Sequence, residues 1–265
     1  MQIILSVLRS DDAPLKPTAV AAIENLPLKF DSQPFLELFT GNLLSADDKS
    51  LLIRSVASRP DPYAQKIVAL GLASPEPHIR RAAIESASQT AISSAVLKGL
   101  VRALAGSPED QAAVAQTLLG PPKDDLVDMG LIQLLQEFLG DEPLRGNGHE
   151  AQAAKVTLID VLGKRGNPLA SAALLLQSSS TDPATLKSSY QALIRTATAA
   201  DLPRLTATLL AIGDDTLRRS CAVYLAQFIQ RMEDPNSAVG VLSETLLKGN
   251  LNPAQKATLV TLLSA

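Results

Sequence analysis

The chain has 265 residues, enough for one large domain or two ordinary ones with a sizeable core. Apolar residues make up 46% but aromatics only 3%, with no Trp, so the apolar content is Leu, Ala, Val and Ile, which suits closely packed helices better than a sheet. A net charge of −3 argues against a binder of nucleic-acid backbone, and a single cysteine excludes an internal disulfide and a Cys-rich zinc site.

The opening MQIILSVLRSDDAP has no basic leader and no small-residue cleavage site, so it does not read as a signal peptide. No stretch reaches the ~18 to 20 apolar residues of a membrane span. The helical signal runs to the last residues, KATLVTLLSA, and both ends read as cuts through a longer protein. The compartment stays open: the cytoplasm is favoured, and the periplasm requires a signal peptide outside this chain.

A recurring apolar column organises what lies between. Lys49 is followed by Leu52, Ile53 and Val56. Arg80 is flanked by Ile79, Ala83, Ile84 and Ala87. Gln111 is followed by Val114, Ala115 and Leu118, and Lys155 by Leu158, Ile159 and Leu162. Leu186 is followed by Ser189, Tyr190 and Leu193. Arg218 is preceded by Leu217 and followed by Cys221, Ala222 and Leu225. Weaker copies stand near Ala19 and Gln255. Offsets of −1, +3, +4 and +7 mark one face of a helix. The anchors at 49, 80, 111, 155, 186 and 218 step by 31, 31, 44, 31 and 32 residues, the mark of a repeat array with one insertion.

Between anchored helices lie second amphipathic segments at 62–74, 93–106, 168–180 and 201–213, so each unit reads as two helices, A and then the anchored B. Ser74-Pro75, Ser107-Pro108, Asp182-Pro183 and Asn252-Pro253 predict helix starts with a capping residue ahead of proline. Gly106, Gly163, Gly213 and Gly249 are expected helix stops. No segment alternates as a strand does. A single helix pair has nothing to cover its apolar stripe, whereas stacked pairs cover one another. The spacing divides the chain into repeats at 1–119, an irregular insertion at 120–149 holding a helix near 124–139 and the loop GDEPLRGNGH, and repeats at 150–265.

The B-helix pattern resembles the HEAT repeat. PEPHIRRAAIESA carries the resemblance through Ile79, Arg80, Ala82 and Ala83, and DDTLRRSCAVYLA through Leu217, Arg218 and Leu225. EAQAAKVTLIDVLGKRGNP carries it through Leu162, Gly163, Gly166, Asn167 and Pro168. The likeness covers about 45–264, and Gln111 and Leu186 stand where the family has Arg. It implies an all-α, right-handed α-α superhelix, a HEAT-like solenoid of seven to eight helix pairs with B helices lining the concave face. In style the chain looks like arrays inside large bacterial multidomain proteins, where they link or dock other domains.

Several residue groups invite a chemical reading. Arg80-Arg81 and Arg218-Arg219 suit a carboxylate or phosphate, but their shared repeat position points to contacts between repeats, for example with Asp48 or Asp214. His149-Glu150 matches the His-Glu pairs with which some HEAT-like metalloenzymes hold two irons. Two histidines in the chain are too few for such a site. Cys221 stands in the core column and reads as an inert thiol. Asp124, Asp125 and Asp128 follow Pro121-Pro122 at a helix start, where the helix dipole favours acids, and lack the glycine and terminal Glu of a calcium loop. No phosphate loop and no Ser-His-Asp set is present.

The sequence therefore predicts a non-enzymatic protein-interaction scaffold or spacer, without cofactor or metal. Its partner would be another protein or a neighbouring domain of the same chain, held on Lys49, Arg54, Arg81, Glu85, Ser88, Asp160, Lys164, Gln191, Arg195 and Gln227. The alternative is an enzyme or lyase-type helper binding a small molecule in the concave groove, with at least one strongly shifted pKa. DNA-backbone binding, as in some HEAT-like repair proteins, requires a continuous basic stripe. A monomer is expected, with array ends able to associate end to end.

Overall fold

The computed structural model describes residues 1–10, 13–27, 29–90, 92–120, 125–137 and 148–264, and among these no strand occurs. The chain forms two compact units, Met1–Pro122 with Leu144–Ala154, and Lys123–Pro143 with Lys155–Ala265.

In the first unit the helices alternate between two layers. The A layer holds α1 (Gln2–Arg9), α3 (Gln33–Thr40), α5 (Pro62–Leu72) and α7 (Ser94–Ala103). The B layer holds α2 (Lys16–Ala21), α4 (Ala46–Val56), α6 (Pro77–Ala87) and α8 (Pro108–Leu119). Each B helix packs on the next B helix and each A helix on the next A helix. The second unit repeats the arrangement. Its A helices are α9 (Asp125–Glu137), α11 (Ser171–Gln177, entered by a 3-10 turn at Pro168–Ala170), α13 (Leu202–Ala211) and α15 (Asn236–Lys248). Its B helices are α10 (Gly148–Arg165, in this unit from Lys155 onward), α12 (Pro183–Thr196), α14 (Asp215–Gln230) and α16 (Pro253–Leu263). The described residues thus form eight helix pairs, and the expected all-α, HEAT-like packing is what the chain adopts.

The column read from the sequence is the core. Leu52, Ile53, Val56, Ala83, Ile84, Ala87, Val114 and Leu118 are buried in the first unit. Leu158, Ile159, Leu162, Tyr190, Leu193, Cys221, Leu225, Leu259 and Leu262 are buried in the second. Each large side chain so placed contributes about 1.5–3 kcal/mol. Short residues bring the B helices together. At Gly163 a Cβ would fall 2.6 Å from the Cα of Ala192, so only glycine lets α10 lie against α12 there. Gly166 ends α10 at φ 71°, the left-handed conformation glycine adopts without penalty.

Most of the expected punctuation is present. Ser107, Asp182 and Asn252 cap α8, α12 and α16 through their side chains, and Gly249 closes α15. Two expectations fail. Helix α6 starts at Pro77 with Glu76 ahead of it, not at Pro75, because the carbonyls of Ser74 and Pro75 face the Arg80 guanidinium and Ser74 Oγ accepts from Glu76 N–H. Gly163 lies inside α10 and serves close packing, not termination. The segment at 120–149 contributes a regular A helix, α9, which packs on α11 and the turn before it. The loop GDEPLRGNGH lies outside the described residues except for Gly148 and His149 at the start of α10, and Asp124 also lies outside them.

Candidate functional site

The anchor position has a structural task. Arg80 donates from Nη1 to the Ser74 carbonyl at 3.0 Å, Gln111 from Nε2 to the Gly106 carbonyl at 3.4 Å, and Arg218 from Nη1 to the Ile212 carbonyl at 2.9 Å. Each reaches back to the turn between its A and B helices and satisfies a carbonyl otherwise left bare. Gln111 therefore does the work that Arg80 and Arg218 do in their repeats, which the apolar and buried Leu186 lacks the groups to do. The acids expected to pair with the arginines are different ones. Arg80 Nε meets Asp110 of the following repeat at 2.8 Å, whereas Asp48 is held in a capping box with Ser45. Arg218 bonds Asp215 and Thr258, while Asp214 is occupied in capping α14.

Two further arginines escaped sequence reading. Arg59 and Arg165 both stand ten residues after an anchor and both are buried. Arg59 donates to the carbonyls of Leu26, Pro27 and Phe30 and stands 3.7 Å from Asp61. Arg165 is paired with Asp128, with both side chains 3% exposed. Asn167 donates to Asp125 and Asp128, each at 2.9 Å. The acid run at the start of α9 therefore binds its own chain. The common offset of +10 was the available signal.

In the first unit, the predicted binding residues are tied up in one another. Arg54 meets Glu85 at 3.2 Å, and Arg81 meets Glu85 at 3.4 Å and Asp110 at 3.8 Å. The Lys49 ammonium sits 5.7 Å from the centre of the Phe39 ring. Ser88 is exposed and donates to the Glu85 carbonyl. The open face of α4, α6 and α8 is a charge ladder that closes on itself.

The second unit differs. Ser188 Oγ donates to Asp160, Gly163 lies on Ala192, and the Cβ position of Gly166 lies 4.0 Å from Arg195 Cβ. These three contacts hold α10 and α12 in one register, with a constant offset of 28 or 29 residues. That register sets Lys164 opposite the turns of α12 that carry Gln191 and Arg195. Gln227 holds the same repeat position on α14 that Arg195 holds on α12. Lys164, Gln191, Arg195 and Gln227 are all exposed, and none makes a hydrogen bond or ion pair among the described residues. Of the ten predicted residues, Asp160, Lys164, Gln191 and Arg195 lie on the two helices that this register joins.

Other titratable groups sit below this face. Burial pushes the half-buried Lys155 ammonium below its ordinary range, with Asp182 opposing the shift. Burial raises the Cys221 thiol to about 12, against a smaller pull from Lys187, and raises Tyr190 further. Tyr190 Oη lies 2.8 Å from Thr208 Oγ1 and 3.1 Å from the Leu205 carbonyl, so it knits α12 to α13. His78 and His149 are exposed, and among the described residues no three His, Cys, Asp or Glu side chains gather as a metal site.

Among the described residues, no helix is long and apolar enough to cross a membrane. No family model matches the chain, and no curated protein matches it. Among solved structures it is similar to human deoxyhypusine hydroxylase in complex with glycerol, at 17% identity and a TM-score of 0.36, over 99% of this chain and 94% of that one. The expectation of a non-enzymatic scaffold or spacer is corrected only so far as the similar structure is that of an enzyme, and a TM-score of 0.36 carries no argument about this chain's activity. Stacked helix pairs expose the same kind of face whether they dock a partner or hold a substrate, so repeat layout does not separate the two. At this distance the likeness assigns neither an activity nor a residue to this chain.

Proposed function

We propose that the protein binds a small anionic molecule on the B-helix face of its second unit, the binding step of an enzyme or an enzyme's helper. The supporting observation is the contrast in charge pairing. Lys164 and Arg195 stand on adjacent helices in fixed register without a partner among the described residues, whereas Arg54, Arg80 and Arg81 of the first unit are each bonded to acids. Helices packed side by side are about 8–10 Å apart, within reach of one carboxylate or phosphate held between a Lys and an Arg stem. Gln191 and Gln227 add donors and acceptors beside the charges. Beside these cations the Ser188 hydroxyl is bonded to Asp160 at the α10–α12 seam, and the reading extends to binding alone.

Amide NMR during a titration with inorganic phosphate tests the proposal. Saturable shifts at Lys164, Gln191 and Arg195, weakened by salt and lost in the Lys164→Glu/Arg195→Glu double variant, are the expected result. A second protein as the occupant of this face is the competing outcome: phosphate would then leave these amides unmoved.

A further inference from the structure

Helix α12, PATLKSSYQALIRT, contains no acidic residue in a chain whose net charge is −3. Its exposed side carries Lys187, Gln191 and Arg195 at i, i+4 and i+8, which places all three along one stripe. Lys187 has Pro183 four residues before it and Gln191 four after, so the helix offers it no acid at those positions. Like Arg195, it makes no hydrogen bond or ion pair among the described residues. Of the nearby acids, Asp160 accepts from Ser188 and Asp182 caps α12, and neither is ion-paired with Lys187 or Arg195 among the described residues. The stripe therefore has a cation at each end and an amide in the middle. Eight residues at a 1.5 Å rise separate the two cations by about 12 Å along the axis.

We infer that the ligand of this face is an elongated molecule with a phosphate at each end, one phosphate taken by Arg195 and Lys164, the other by Lys187, and hydroxyl groups between them facing Gln191. A bis-phosphorylated sugar or polyol has this form. The inference rests on the anion-binding reading above and adds to it the number and spacing of the charges. A ligand with one phosphate engages only the Lys164–Arg195 end. A ligand with two engages both ends at once, and the second contact gains from the first because it is already held nearby. The flexible stems of Lys187 and Arg195 let their charged tips close on ligands shorter than the axial separation.

The experiment is a calorimetric titration of the full chain with fructose 1,6-bisphosphate, fructose 6-phosphate and inorganic phosphate, at low and moderate salt. The bisphosphate is expected to bind roughly tenfold or more tighter than the monophosphate. Lys187→Ala should reduce it to the affinity of the monophosphate while leaving monophosphate binding unchanged. Lys248→Ala, on α15 and ion-paired with Glu244, should change neither. Circular dichroism of both variants establishes that they fold. Equal affinity for the mono- and bisphosphate would overturn the two-phosphate inference and leave the anion-binding reading standing. A tenfold advantage that survives Lys187→Ala would overturn the role of Lys187. Binding of none of the three probes would overturn the anion-binding reading itself, and with it this inference.

Discussion

The two units are built from the same helix pair and differ in how the charges on their B-helix faces are paired. In the first, Arg54, Arg81 and Glu85 meet across exposed B-helix surfaces, and Arg80 reaches Asp110 in the next repeat. In the second, Arg165 and Arg218 are buried, Arg165 against Asp128 and Arg218 against Asp215, while Lys164, Lys187 and Arg195 face outward unpaired among the described residues. An exposed ladder adds little stability, because water and salt screen each pair. A buried pair adds specificity and is costly to break from one side. Arg165 is buried in the second unit as Arg59 is in the first, and what sets the second apart is that Lys164, Lys187 and Arg195 on its B helices make no ion pair among the described residues.

Substitutions break this comparison in order of size. Asp128→Ala removes the carboxylate paired with the buried Arg165 guanidinium and is expected to destabilise by about 3–5 kcal/mol. The midpoint of urea unfolding reads this effect, and a loss below 1 kcal/mol would show the pair to be no more than a surface contact. Gly163→Ala drives a methyl group into the backbone of Ala192 and should cost about 1–3 kcal/mol. It should also disturb the register of α10 on α12, and with it anion binding. Glu85→Ala removes the acid shared by Arg54 and Arg81 and should cost less than about 1 kcal/mol. That loss should shrink further in high salt, and a larger, salt-independent loss would contradict the self-screened ladder.

Much of this was legible in the sequence, for a physical reason. A repeat presents the same burial problem several times, so the column at +3, +4 and +7 was visible although single copies, such as Gln111 with Val114 and Leu118, are plain. Caps were legible where Ser, Asp or Asn precedes proline, as at Ser107, Asp182 and Asn252. At Ser74 the same dipeptide misled, because the Arg80 side chain competes for the turn carbonyls. Gly163 misled because one residue type serves both helix ends and close helix contacts. The site was legible only as a list of outward positions. Which of them would be neutralised depends on partners thirty residues away, such as Glu85 for Arg54 and Asp160 for Ser188, and helical phase carries no information about those.

The smallest effect at neutral pH belongs to Cys221. Its folded thiol is raised by burial to about 12 from an ordinary value of 9.0, so the folded state holds the proton more tightly. The stability this brings is fully present below pH 9 and is lost as pH rises toward 12. Cys221→Ala should leave stability at pH 7 within about 1 kcal/mol and flatten its decline in alkali. Alkylation by iodoacetamide at pH 8 should be slow in the native protein and fast in urea. Rapid native alkylation would mean that the column at +3 is open to solvent.

The most direct test of the central claim is titration of inorganic phosphate into the wild-type chain and the Arg195→Glu variant, followed by amide shifts on α10 and α12. The account predicts saturable shifts at Lys164, Gln191 and Arg195 in the wild type and none at Lys164 and Gln191 in the variant, with Arg54 and Arg81 still in both. Equal shifts on the two units, or shifts unchanged by Arg195→Glu, would contradict the claim that the B helices of the second unit present cations to a ligand that the ion-paired B-helix face of the first does not.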